Sequence, residues 1–86
     1  MKVFLPTPLA EYTRRAREVQ AEGATLAELF ADLDRRYPGL RFRVIDEQGA
    51  FRPHIKVFVN RVQERSLAAV LAPSDEVLVV AALSGG

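Results

Sequence analysis

Short runs of strand-like residues alternate with turn formers along most of the chain, and this pattern predicts a sheet of five strands. The first three runs end at Pro6, Gly23 and Asn60, which are residues that interrupt or turn a strand. The last run is apolar at every position, which is typical of a central strand covered on both faces. The predicted strands span residues 2–5, 17–21, 55–59, 62–64 and 77–81.

One main helix is predicted to begin after Thr25. The Thr25 side chain is a good N-cap, and Glu28 three residues later completes a capping box. Pro38 and Gly39 end the helix. Because its apolar stripe covers only one face, the helix is expected to pack against a sheet. The stripe consists of Leu26, Leu29, Phe30, Leu33 and Tyr37.

The connecting segments carry weaker signals. Residues 40–53 are rich in arginine and are predicted to be irregular, with a turn at 46–49. Residues 9–15 fit a turn or one helical turn equally well, 67–71 favour a brief helical turn, and 73–76 favour a turn. The order of elements therefore predicts an α+β domain with one helix packed across its sheet.

The composition is that of one small globular domain. Of the 86 residues, 49% are hydrophobic and 27% are charged. The absence of cysteine excludes disulfides, a thiol nucleophile and thiolate metal ligands. With 12 basic and 11 acidic residues, the net charge of +1 is too balanced to indicate nucleic acid or an anionic membrane as a partner.

The sequence also indicates a cytoplasmic protein. Its longest apolar run, at residues 77–83, has seven residues, whereas a membrane span needs about 20. The apolar run at the N-terminus ends at Pro6, so a secretory signal of the usual length is lacking. We therefore expect a cytoplasmic location.

The side chains form no recognisable catalytic or metal-binding constellation. His54 is the only histidine, so we interpret it as a surface or strand-edge residue and not as a metal ligand. No nucleophile-elbow pattern surrounds any serine, and the internal glycines are too isolated to form a phosphate-binding loop. An enzyme that acts on its own is therefore the least favoured function class.

The chain ends in Leu83, Ser84, Gly85 and Gly86. At an average glycine usage of about 7%, a terminal pair of glycines arises by chance in about one sequence in 200. Such a pair suits a terminus that must enter a narrow channel, because glycine has no Cβ and adopts backbone angles that other residues avoid. Joined to an α+β domain of this size and strand order, the pair becomes a strong signal.

These features resemble the ThiS/MoaD family of ubiquitin-like sulfur carriers, and the resemblance covers the whole chain. It rests on the strand at residues 2–5, the capped helix, the strand end at 57–60, the turn at 74–77 and the terminal diglycine. The segment at 46–53 is most similar to carriers of the cysteine-biosynthesis kind, and the small subunit of molybdopterin synthase comes next. The turn departs from the family in one residue, because Ser74 stands where glycine is usual.

The resemblance implies a fold and a mechanism. The fold is β-grasp: a mixed sheet with one main helix packed across it in residues 1–82, followed by a flexible extended tail at 83–86. An ATP-dependent activating enzyme would adenylate the Gly86 carboxylate, which would then become a thiocarboxylate. That partner uses the ATP and Mg²⁺, while this chain binds no cofactor or metal. A persulfide protein or sulfide would donate the sulfur, and a downstream synthase would accept it to make cysteine, molybdopterin or a related product.

The same resemblance assigns partner docking to the sheet face opposite the helix. Strand alternation directs Phe4, Phe58, Leu78 and Val80 to that face, so these four are the candidate docking residues. Equally well, they are ordinary half-buried strand residues, since single exposed apolar side chains are common.

Three function classes stay open on the sequence alone. The first is a sulfur carrier activated at Gly86, and the second is a ubiquitin-like modifier joined through Gly86 to lysines of other proteins. The third is a β-grasp interaction module that is not a carrier. Deletion of Gly86 separates the first two classes from the third, because only the activated classes require that residue. Isopeptide-linked products in cells would distinguish the modifier from the carrier.

Overall fold

The computed structural model describes residues 1–82, which form a mixed five-stranded sheet and three helices. The strand order is β2-β1-β5-β3-β4, in which β1 and β5 run parallel and every other pair is antiparallel. This order makes β5 the central strand, as predicted. The strands are β1 (Lys2–Phe4), β2 (Glu18–Gln20), β3 (Ile55–Val59), β4 (Val62–Glu64) and β5 (Glu76–Ala81).

The main helix is α2 (Leu26–Arg36), and its capping follows the sequence with one difference. The Thr25 hydroxyl accepts from the N–H of Glu28 at 3.3 Å, as in a capping box. The Glu28 carboxylate accepts from the N–H of Ala24 at 3.0 Å, one residue earlier than the usual box. Within residues 1–82, no helix has the length and apolar character needed to cross a membrane.

The core lies between α2 and one face of the sheet. The first four residues of the predicted stripe are fully buried, while Tyr37 is half-buried at the end of the helix. Opposite them, Val3, Val57 and Val77 are also fully buried. Burying an aliphatic side chain of this kind contributes about 1.5–3 kcal/mol, so the helix and the three central strands stabilise one another.

Residues 40–53 are not wholly irregular, because they begin with the helix α3 (Leu40–Val44). Leu40 and Val44 lie one helical turn apart and are both fully buried. The turn at 46–49 is confirmed: the Asp46 carboxylate accepts from the N–H groups of Gln48 and Ala50 at 2.9 and 3.0 Å. These bonds lower the pKa of the Asp46 carboxyl, and the bond from Ala50 has the larger effect.

The open segment at 9–15 contains the end of the short helix α1 (Thr7–Ala10) and a 3₁₀ turn, Glu11–Thr13. The helical turn predicted at 67–71 is wrong. The carbonyl groups of Leu67 and Ala69 accept from the first N–H groups of α2, at 2.9 Å from Ala27 and 3.1 Å from Leu26. These carbonyls satisfy the otherwise unpaired start of α2, so the segment forms a turn and a single bridge to Thr25.

Candidate functional site

The outer face of the sheet, which points away from α2, carries an exposed apolar surface. Along β5, Val77 and Val79 are 0% and 1% exposed, whereas Leu78 between them is 43% exposed. Phe4, Phe58 and Val80 are half-buried on neighbouring positions of the same face. Strand alternation therefore separates a core side from an outer side on all three central strands.

The register brings the four predicted docking residues together. Phe4 and Phe58 are both Cα partners of Leu78, so the three side chains form a row across β1, β5 and β3. Val80 follows two residues later on the same face and is the partner of Lys56. We call Phe4, Phe58, Leu78 and Val80 the apolar patch.

A cavity of about 300 Å³ opens at one end of the apolar patch. Its walls are Phe4 and Leu78 on the apolar side and Asn60, Arg61 and Glu76 on the polar side. A cavity with both kinds of wall suits an amphipathic side chain of a partner protein. The sequence pattern places Glu76 only in a turn and does not single out Arg61, so neither contribution to this cavity was predicted.

A hydrogen-bonded link ties two loops together beside this cavity. The Asn60 side-chain amide donates to the Asp75 carboxylate at 2.8 Å, and its oxygen accepts from the N–H of Glu76 at 3.0 Å. Asn60 and Arg61 have φ of 49° and 72°, which is the geometry of a two-residue hairpin turn between β3 and β4. The strand end and the acidic turn, quoted above as separate motifs, thus form one structural unit.

The contribution of this unit to the stability of the fold depends on pH. The N–H of Ala72 donates to Asp75 at 2.8 Å, and this bond, followed by the one from Asn60, lowers the pKa of the Asp75 carboxyl. A lowered pKa means that Asp75 stabilises the fold at pH values above its unfolded-state pKa of about 3.9. That contribution is lost as the pH falls through the folded-state pKa.

We therefore expect Asp75→Asn to lower the urea midpoint at about pH 6 and to have a much smaller effect at about pH 3. Urea denaturation at the two pH values measures both effects. Glu47→Gln is the control, because within residues 1–82 no hydrogen bond to the exposed Glu47 carboxylate is found. A loss of stability for Asp75→Asn that is equal at both pH values would contradict the assignment.

The last described residues, Ala81 and Ala82, are held at the end of the central strand. Ala81 on β5 is the Cα partner of Ile55 on β3, and the N–H of Ala82 donates to the carbonyl of His54 at 2.7 Å. The backbone at residue 82 is therefore held against the start of β3. The predicted tail residues Leu83, Ser84, Gly85 and Gly86 lie outside the described residues.

Serine fits the turn that leads into β5. The N–H of Asp75 donates to the carbonyl of Ala72 at 3.0 Å and closes a turn through Pro73 and Ser74. Ser74 does not have a positive φ, so this turn does not require the glycine that is usual in the family.

Comparison with known proteins decides the family. The model of the ThiS family matches residues 3–86, which is nearly the whole chain. The chain belongs to the ThiS family. It is 32% identical to the sulfur carrier protein CysO of Mycobacterium tuberculosis, over 98% of this chain and 96% of that protein.

Solved structures share the fold over the same extent. A chain of the Amycolatopsis orientalis BexX/CysO complex has a TM-score of 0.90 at 30% identity, covering 99% of this chain and 98% of that one. The small archaeal modifier protein 1 of Methanosarcina acetivorans has a TM-score of 0.80 at 26% identity, covering 99% and 94%. The predicted β-grasp fold is confirmed.

Proposed function

We propose that this chain is a sulfur carrier whose reactive group is the C-terminal carboxylate of Gly86. The observation that carries the proposal is the match to the ThiS family along nearly the whole chain, together with the similarity to CysO. The terminal diglycine supports it, because a carrier needs a terminus that enters a partner's active site. The domain itself contributes binding surfaces, and the partner enzyme contributes catalysis.

The proposed chemistry has two steps. The Gly86 carboxylate attacks the α-phosphorus of ATP bound with Mg²⁺ in the activating enzyme, which forms an acyl-adenylate and releases pyrophosphate. Hydrosulfide then attacks the acyl carbon, so that the C–S bond forms, the C–O bond to AMP breaks and the thiocarboxylate remains. A persulfide donor requires in addition a thiol that reduces the S–S bond of the resulting acyl disulfide. Sulfur delivery to cysteine, molybdopterin or a related product follows.

The apolar patch is proposed as the surface that docks on the activating enzyme. It is centred on β5, the strand that leads towards the predicted tail, and its central residue Leu78 is flanked by a phenylalanine on each neighbouring strand. Aromatic and aliphatic side chains clustered in this way are typical of interface hot spots. The described end of β5 keeps the patch in a fixed position relative to the exit of the tail.

Leu78→Glu is expected to weaken docking by about 30-fold or more, because it places an unpaired charge at the centre of a desolvated interface. Kinetics of activation at varied carrier concentration measure the effect as an increase in KM. Val70→Glu is the matched control, since Val70 is 82% exposed and lies outside the sheet strands. Equal effects of the two substitutions, with both proteins folded, would contradict the docking role.

The proposed function is tested by the intact mass of the chain after incubation with ATP, Mg²⁺, a sulfur source and its host's activating enzyme. We expect a mass gain equal to the replacement of one oxygen by sulfur, located in the C-terminal peptide. Omission of ATP is the control and should leave the mass unchanged. An unchanged mass with an enzyme that is active on another carrier would instead favour an interaction module.

A ubiquitin-like modifier is the second candidate, supported by the similarity to small archaeal modifier protein 1. It shares the activation step but differs in the product, because a lysine amine replaces sulfur as the nucleophile. Isopeptide-linked Gly86 remnants on other proteins, detected by mass spectrometry of cell extracts, distinguish it from a carrier.

A further inference from the structure

A second surface lies beside residue 82 and is formed by α3 together with the connection from α3 to β3. Phe42 is 55% exposed there, and the Arg52 guanidinium stacks over its ring at 4.5 Å from the centroid. The Arg52 Nε also donates to the Phe42 carbonyl at 2.7 Å. The stacked pair is therefore an ordered element, and the guanidinium keeps further N–H donors for a ligand.

Two adjoining cavities extend this surface to the base of the tail. The first, of about 260 Å³, is lined by Phe42, Arg43, Glu47, Arg52 and His54. The second, of about 210 Å³, shares Arg43 and His54 with the first and reaches Ala81 and Ala82. Its other walls are Pro8, Leu9 and Ile55.

The charges on this surface favour an anionic ligand. Arg43 and Arg52 supply two permanent positive charges, His54 adds a third when protonated, and Glu47 supplies the opposing charge. Within residues 1–82, the Arg43 side chain makes no hydrogen bond or ion pair. An exposed arginine beside an aromatic wall suits recognition of a carboxylate.

We propose that Phe42, Arg43, Arg52 and His54, here called the basic cleft, bind an acidic segment of the protein that receives the tail. The cleft adjoins the tail exit, so a partner that encloses the tail passes directly over it. The net charge of the whole chain is only +1, which favours local pairing with carboxylates over attraction to a long polyanion. This proposal rests on the proposed function, and it adds a second contact surface to the apolar patch.

Binding of a tetraglutamate peptide, followed by amide chemical shifts of the full chain, tests the cleft without the enzyme. We expect the largest shifts at Phe42, Arg43, His54 and Ala82.

Variants test the charges. At low ionic strength, Arg43→Gln should weaken binding of the peptide about threefold and Glu47→Gln should strengthen it about threefold. Arg15→Gln, at an exposed arginine that lines neither cavity, should leave the affinity unchanged. Residues 14–17 form another arginine-rich segment of the chain. Chemical shift changes centred on that segment, or weaker binding of the peptide by Glu47→Gln, would overturn the proposal.

Activation kinetics test whether the partner uses the cleft. Arg43→Gln should raise KM about threefold at low salt with kcat unchanged, and the difference should vanish at about 0.5 M salt through screening. A KM equal to that of the wild-type chain at low salt would overturn the partner assignment. If the wild-type chain gains no sulfur while the peptide still binds the cleft, the proposed function fails and the acidic-ligand site stands.

Discussion

Deletion of Gly86 should reduce the ATP-dependent mass gain to the level of the control without enzyme. One residue spans at most about 3.3–3.6 Å, so under the proposed mechanism the new terminal carboxylate would fall short of the α-phosphorus by up to that distance. Reacting atoms must approach to about 3–3.5 Å, and a misplacement of about 1 Å can lower the rate about 100-fold. A deficit of one whole residue is therefore expected to abolish activation.

Appending one glycine after Gly86 is the matched control for chain length. It keeps a terminal glycine carboxylate but shifts it in the other direction, so it should also impair activation. Thermal unfolding of both variants should match that of the wild-type chain, since residues 1–82 are unchanged. Full conversion of the shortened chain would contradict the assignment of the reactive group to Gly86.

Gly23→Ala should destabilise the fold by about 3 kcal/mol, the upper part of the range for overpacked positions. A Cβ at Gly23 would lie 2.8 Å from the Glu28 carbonyl carbon and 2.9 Å from the Leu29 Cα. These are backbone atoms in the first turn of α2, and Leu29 is fully buried. The helix must therefore shift away from the core. A loss of about 3 kcal/mol is large for a domain whose free energy of unfolding is about 4–13 kcal/mol.

Gly49→Ala is the control for the glycine substitution itself. A Cβ at Gly49 meets nothing within 4 Å, but the φ of 81° is unfavourable for alanine. We expect a loss of about 1 kcal/mol from the backbone conformation alone. Urea denaturation of both variants measures the difference. Equal losses at the two positions would show that the contact with α2 is not what requires Gly23.

The strands and the main helix could be predicted because their signals are local. The cap at Thr25 and the 3.6-residue spacing define α2, and runs bounded by turn formers define the strands. Helix α3 gave no such signal, because only two of its five residues are buried, and an arginine stands beside each. The segment at 67–71 is held by hydrogen bonds that its carbonyl groups accept from the first N–H groups of α2, some forty residues earlier in the chain. A local sequence pattern contains no information about such distant bonds.

The candidate site likewise contains features that the sequence predicted and features that only the structure reveals. Strand alternation alone assigned Phe4, Phe58, Leu78 and Val80 to one face, and the register now puts them side by side. The link between Asn60 and Asp75 joins residues 15 positions apart through side-chain geometry, so no sequence period reports it. The basic cleft likewise forms only when the chain after α3 folds back onto the end of β5.

The central position of β5 couples the order of folding to presentation of the tail. β5 pairs in parallel with β1, at the opposite end of the sequence, and antiparallel with β3. Such distant pairings are slow to form, and a sheet that lacks its middle strand cannot bury its inner face. Of the five strands described within residues 1–82, β5 is also the last to emerge from the ribosome, so the sheet can close only after β5 has been made. The strand that completes the sheet is thus the one that directly precedes residues 83–86. If the apolar patch docks as proposed, a partner that recognises it would bind only chains in which β5 is already paired.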